Sequence, residues 1–183
     1  MNLYFRLFYI LFKALLAPGI SALSESKLDF RALPTDCDMN LHITNSRYLS
    51  FMDLGRTYLM GQLKLLPHLY KRRWGPVIQA TELTFLKPIM VGQKFALVTR
   101  IIYWDDKYFY MEQRFMVNQQ IYALATVKGL FISKQQKIPT HEIIKLVDAN
   151  IIQPPMPEFI RRWQLMLEAK KSNRLLSKPS ILL

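Results

Sequence analysis

Cysteine is nearly missing from this chain. Cys37 stands alone, so no internal disulfide can form, and a reducing compartment is the default expectation. Glycine is scarce: six residues leave neither a Gly/Ser linker nor a glycine-rich loop to cradle a phosphate. The three histidines, His42, His68 and His141, are scattered, and no helix carries two of them at metal-ligand spacing, which argues against a zinc site. A Gly-x-Ser-x-Gly nucleophile elbow is absent. Acid is in short supply, with 13 Asp and Glu against 25 Lys and Arg and a formal charge of +12. That surplus favours polyanions: nucleic acid, anionic lipid or the phosphates of coenzyme A. No helix-turn-helix, zinc-finger spacing or RNA-binding aromatic signature accompanies it, so no nucleic-acid partner is expected.

Long apolar runs are missing too. Residues 3–17 are strongly apolar, but they stop at Pro18-Gly19 and fall short of the roughly 20 residues that span a bilayer. Arg6 and Lys13 are seven apart and share one helical face, the pattern of a helix lying in a membrane surface. A helix docked on the domain or on a partner subunit is the competing reading. Lys13 interrupts the run and no small-x-small cleavage site follows, which argues against a secretory signal. The expectation is a cytoplasmic protein with peripheral membrane contact through residues 3–17.

What is present divides into three parts: an apolar helix and connector over 1–26, a core domain over 27–135, and a helical extension over 136–183. Lys27–Leu33 alternates as a strand and ends at Pro34. From Thr44 or Asn45 to about Leu66 a helix is apolar nearly all round, the mark of a buried helix. Asp53 and Arg56 can pair on its remaining face. Pro67 is expected to end it, with a basic loop over 68–76. Four long strands follow, Val77–Lys87, Lys94–Trp104, Lys107–Val117 and Ile121–Ser133, spaced as an antiparallel meander. Thr140 and Phe159 lie near the starts of two further helices.

Between the first strand and the long helix lies a dense polar stretch, Asp36-Cys37-Asp38-Met39-Asn40-Leu41-His42-Ile43-Thr44-Asn45. It opens like a calcium loop, but Leu41 stands where that loop needs glycine and Arg47 where it needs glutamate. Cys37 is a possible nucleophile, against the commoner reading of a small buried residue. In an extended segment Asp36, Asp38, Asn40 and His42 point the same way and line one wall. A carboxylate there can serve as general base or nucleophile, and the following helix offers backbone N–H groups to a developing oxyanion. A polar turn that merely caps the helix explains the same residues equally well.

The pattern Asp38-x-Asn40-x-His42-x-x-Asn45-x-x-Tyr48, at the head of a buried helix and ahead of four long strands, resembles the hotdog-fold thioesterases of the 4-hydroxybenzoyl-CoA thioesterase family. Thr44 departs from it, standing where the first Asn of a pair usually does. Residues 85–92 are similar to that family's second-strand ending, and residues 103–115 to the corresponding hairpin in the thioesterase-like proteins related to thioesterase superfamily member six. The resemblance covers about residues 28–133. It implies an α+β hotdog: a long central helix wrapped by a five-stranded antiparallel sheet, flanked by an apolar N-terminal helix and C-terminal helices. It implies a homodimer or homotetramer acting on an acyl-CoA or acyl-carrier-protein thioester, with coenzyme A entering as part of the substrate and no separate cofactor. Asp38 matches the catalytic position, Asn40 and His42 the positions that assist it, and Asn45 and Tyr48 the substrate-binding start of the helix. A later catalytic Glu of some relatives aligns with Lys87-Pro88, so that role does not carry over, and nearby Glu82 is not assigned to it. A non-catalytic, membrane-associated lipid-binding hotdog is the second functional reading.

Overall fold

The computed structural model describes residues 2–134 and 136–176. They form two compact units, Met1–Gln153 and Pro154–Leu183. In the first, helix α1 (Asn2–Leu16) precedes strand β1 (Ser26–Arg31) and a short 3-10 turn at Pro34–Asp36. Helix α2 (Asn45–Gln62) and helix α3 (Leu66–Arg72) follow. Then come β2 (Gly75–Phe85), β3 (Lys94–Trp104), β4 (Phe109–Val117), β5 (Gln120–Ser133), β6 (Gln136–Ile138) and α4 (Thr140–Val147). The second unit holds α5 (Glu158–Leu176), where Glu158 pairs with Arg161 and Arg162 across the first turn. These contacts hold the Glu158 carboxyl below its usual range.

Helix α2 lies on an antiparallel sheet ordered β1-β3-β4-β5-β2, with β6 added beside β5. This is the hotdog arrangement, with a short sixth strand. Local chemistry makes the hairpins. Asp105 accepts the Lys107 and Tyr108 amides through Oδ1 and turns the chain from β3 into β4. Asn118 and Gln119 both adopt positive φ, the two-residue turn that matches strand twist, and lead β4 into β5.

Strand β2 breaks the expected meander. It pairs with β5 along its length and not with β3. The link from β2 to β3 crosses past β5 and β4, from one end of the sheet order to the strand beside β1, so it is not a hairpin. Pairing with β5 gives the eleven residues of β2 a partner far along the chain, which spacing alone does not reveal. Pro67 is the other correction. It does not end a helix but sits in the first turn of α3, where its missing N–H costs nothing. Lys71 and Arg72 complement the C-terminal dipole of α3, and Arg73 closes it in a left-handed conformation. The expected basic loop is therefore mostly helix.

Helix α2 buries both sides. Phe51, Met52, Leu54 and Leu59 are almost fully buried, in one cluster with Leu28, Phe95, Leu97 and Phe115 from the sheet. Helix α1 packs on α2, with Ala14 so close to Gly61 that a Cβ there would meet Ala14 Cβ at 2.5 Å. A polar network locks the inner side. Arg56 pairs with Asp53, as the i, i+3 spacing predicts, and donates to Gln113 Oε1 at 2.8 Å. Gln113 in turn donates to Met52 O and Thr99 Oγ1, both at 3.0 Å. Burial lowers the Arg56 pKa, and Asp53 opposes that shift. The helix comes this close because residue 55 has no side chain: a Cβ on Gly55 would lie 2.7 Å from Leu97 and 2.8 Å from Thr99 Oγ1. Gly55→Ala is expected to lower unfolding stability by about 1–3 kcal/mol in a urea titration; an unchanged midpoint and slope would contradict this packing.

Candidate active site

The polar stretch does not run extended. Cys37 and Ile43 bridge as antiparallel partners, Asp38 N–H donates to His42 O at 3.1 Å, and Leu41 N–H donates to Asp38 O at 3.0 Å. Residues 38–41 are thus the turn of a small hairpin, with Leu41 at φ +59°, rare for a side chain of this size. The single wall of four side chains therefore does not form. Asp36 and Asp38 part company, and Asp38 and His42 come together across the turn.

Asp36 is buried at 1% exposure. Arg6 from α1 donates to both of its oxygens, at 3.1 and 2.8 Å. Leu33 N–H adds a third bond at 3.0 Å, and Arg47 Nε lies 3.9 Å away. Its own carbonyl accepts Thr44 N–H at 3.0 Å. Asp36 is therefore a brace, holding the hairpin's base against α1 and the first turn of α2.

Asp38 is placed differently. Its carboxylate is about one-third exposed and accepts Asn40 N–H at 2.9 Å. His42 Nδ1 lies 3.7 Å from Asp38 Oδ1 and 3.4 Å from Ile43 O. Both neighbours of Nδ1 are acceptors, which favours the proton on Nδ1 and leaves Nε2 as the basic nitrogen. Among the described residues His42 is the only basic side chain within ion-pair distance of Asp38. Asn40 is exposed at the hairpin tip and meets Asp38 through its backbone.

A cleft of about 360 Å³ opens beside the hairpin, lined by His42, Ile43, Asn45, Tyr48 and residues 85–88. The crossing link from β2 to β3 forms its far wall. Ile43 N–H bonds Ile89 O, Val91 N–H bonds Leu41 O, and His42 bridges Met90. Asn45 is the first residue of α2, and Thr44, the N-cap, makes no side-chain cap. Arg47 N–H bonds Thr44 O at 2.9 Å, and no side-chain cap covers the first two amides of α2, those of Asn45 and Ser46. Tyr48 lies at 2% exposure, its ring edge-on to Phe85 and Phe115 at 5.0 and 4.8 Å. Burial raises its pKa, while a bond from Ile89 backbone lowers it. It stays a neutral phenol beneath the cleft. Lys87 donates to Gln120 Oε1 at 2.9 Å and lies over Tyr122.

Of the five residues read from sequence, His42 joins Asp38 on one side and Asn45 and Tyr48 on the other; Asn40 meets Asp38 only through its backbone. Sequence reasoning missed Arg6, Arg47 and the role of residues 86–88. Only the contrast between one buried and one exposed aspartate reveals Arg6, and that contrast is three-dimensional.

Residues 32–164 match the family model of the Thioesterase-like superfamily. The chain belongs to that superfamily. Protein THEM6 of Xenopus laevis is 26% identical over 158 residues, 84% of this chain and 74% of the relative. A probable thioesterase of Saccharomyces cerevisiae is 34% identical over 97 residues, 52% of this chain and 42% of that protein. The fold is shared with a 1,4-dihydroxy-2-naphthoyl-CoA thioesterase from Synechocystis, at TM-score 0.60 and 12% identity over 70% of this chain and 98% of that one.

Cys37 makes a poor nucleophile. Burial pushes its thiol up, and the charges of Asp36 and Asp38 push it further, so the protonated form dominates at neutral pH. A thiol raised in the folded state contributes stability below its unfolded pKa and loses it as pH rises through the folded value. Alkylation of native Cys37 by iodoacetamide is therefore expected to rise at higher pH than in the urea-unfolded chain. Matching pH–rate curves would contradict this environment. For the brace, Arg6→Ala is expected to cost about 3 kcal/mol of unfolding stability, because it leaves a buried carboxylate with its more distant arginine alone.

Proposed function

We propose that the protein hydrolyses an acyl-CoA or acyl-carrier-protein thioester to free acid and thiol. The observation that carries this reading is the Asp38–His42 pair, accessible and beside a cleft at the uncapped start of α2. Membership of the Thioesterase-like superfamily supports the reaction class.

Asp38 acts on the thioester carbon in one of two ways. As a general base it takes a proton from water as the oxygen attacks. As a nucleophile it forms an acyl anhydride that water then opens. In both, the C–S bond breaks, the thiolate leaves and takes up a proton, and the acyl group departs as carboxylate. His42 orients Asp38 through Nδ1 and offers Nε2 toward the cleft for proton transfer. The first amides of α2 hold the carbonyl oxygen as charge develops, helped by the helix dipole. Asn45 and Tyr48 position the acyl group, and Asn40 fixes the Asp38 rotamer through its amide. Coenzyme A enters as substrate, and no cofactor takes part.

The reading includes a homodimer or homotetramer. Strand β2 ends the sheet order, so one backbone edge has no partner among the described strands. Uncovered edges of this length invite pairing. Val77, Phe85 and Leu86 are exposed along and just beyond it, and the last two line the cleft. A second copy on this edge would wall the substrate site.

Asp38→Asn keeps an acceptor for the Asn40 amide, so the turn survives and only the base is lost. Turnover of long-chain acyl-CoA, followed by thiol release, is expected to fall at least about 100-fold with the melting temperature unchanged. Full turnover in a folded Asp38→Asn protein would remove Asp38 from the reaction. Sedimentation equilibrium is expected to return a multiple of the chain mass; a monomer at all concentrations would exclude the shared cleft.

A further inference from the structure

Helix α1 is turned inside out relative to an ordinary surface helix. The side facing the domain carries Arg6, Ile10 and Ala14. The outward faces carry nine exposed large apolar residues, five of them Tyr or Phe, including Phe5 at 72%, Phe8 at 69% and Phe12 at 65% exposure. The two cations expected on the outer face of a membrane helix are directed inward instead. Arg6 clamps Asp36, and Lys13 Nζ lies 5.4 Å from the Tyr58 ring centre. Apolar surface this concentrated on one helix marks an interaction site.

The helix is 15 residues, about 22 Å long, too short for a hydrocarbon core of about 30 Å. Among the described residues no helix is long and apolar enough to cross a membrane. Its occupant must therefore cover it lengthwise. Charge indicates which occupant. No acid occurs in residues 1–24, and none occurs between Asp53 and Glu82. The second acid-free segment meets the end of α1: Lys64 Nζ donates to Ala17 O, and Gln62 O accepts Ile20 N–H at 3.2 Å. Lys64, Lys71, Arg72 and Arg73 are all exposed there, and Tyr70 is 90% exposed among them.

We infer that the outward face of α1 is a bilayer-docking surface, seated lengthwise among the acyl chains and headgroups of an anionic membrane, with the basic α2–α3 segment as its electrostatic partner. The folded domain replaces the polar face that an isolated interfacial helix would need. The cations and lipid phosphates attract over about a Debye length, while the aromatic side chains supply the apolar and headgroup contacts. This inference stands whether or not the chain hydrolyses thioesters.

The test is co-sedimentation of the full chain with vesicles of phosphatidylcholine alone and of phosphatidylcholine with phosphatidylserine. Wild type is expected to bind the mixed vesicles more tightly, with the difference shrinking as salt rises. The combined Phe5→Ser, Phe8→Ser, Phe12→Ser variant is expected to lose at least about tenfold in vesicle affinity. Its melting temperature and its mass in solution should match wild type, since these side chains face away from the domain. Lys71→Glu with Arg72→Glu, which leaves α1 intact, is expected to lose the preference for phosphatidylserine. Wild type remaining in the supernatant with both vesicles would overturn the proposal, as would a folded triple variant that binds as wild type does. So would a triple variant that dissociates into smaller species while wild type ignores vesicles, because a second copy would then cover α1.

Discussion

A carboxylate at 1% exposure needs counter-charge, and the Asp36 environment depends on supplying it. Arg6 and Arg47 reach it from two different helices, and Leu33 N–H completes its shell. Through those bonds one side chain fixes α1, the end of the 3-10 turn and the entry to α2 in a single arrangement. The hairpin that starts there has little freedom left. Two residues further on, Asp38 lies outside that clamp and meets only a histidine among the basic side chains described. The protein thus separates two carboxylates of similar sequence context into a structural one and a chemically available one. Burial and arginine make the difference.

The cleft beside this pair exists because the sheet is not a meander. Strand β2 pairs with β5 at one end of the order, while β3 pairs with β1 at the other. The link between β2 and β3 must cross, and it crosses beside the hairpin, bonding it at Ile89, Val91 and Met90. Phe85 ends β2 against Tyr48, so the cleft floor is aromatic and its rim is backbone and imidazole. The Gly55 approach and the Gln113 network hold α2 at the depth this geometry needs. Packing at the middle of the helix thus helps position the hairpin and cleft at its start.

Much of this was legible from local chemistry. The gaps left between the expected strands, at residues 105–106 and 118–120, fall at real turns, and the all-round apolar pattern of α2 marked a helix covered on both sides. The resemblance supplied the hotdog and the residues around Asp38. What stayed hidden was non-local or ran against local preference. No turn signal announces a leucine at φ +59°, so the polar stretch read as extended. Nothing in strand spacing tells β2 to choose β5. Pro67 reads equally as the end of one helix or the first turn of the next. The seven-residue spacing of Arg6 and Lys13 gave their shared side but not its direction, and the direction depends on Asp36, thirty residues away.

We propose that thioester chemistry occurs where the Asp38–His42 hairpin meets the start of α2. A crystal structure with a non-hydrolysable thioether analogue of acyl-CoA tests it most directly. The analogue's carbonyl oxygen is expected against the first amides of α2 and its carbonyl carbon within about 3.5 Å of the Asp38 carboxylate or a water bonded to it. An analogue bound with that carbonyl away from the cleft lined by His42, Asn45 and Pro88 would contradict it.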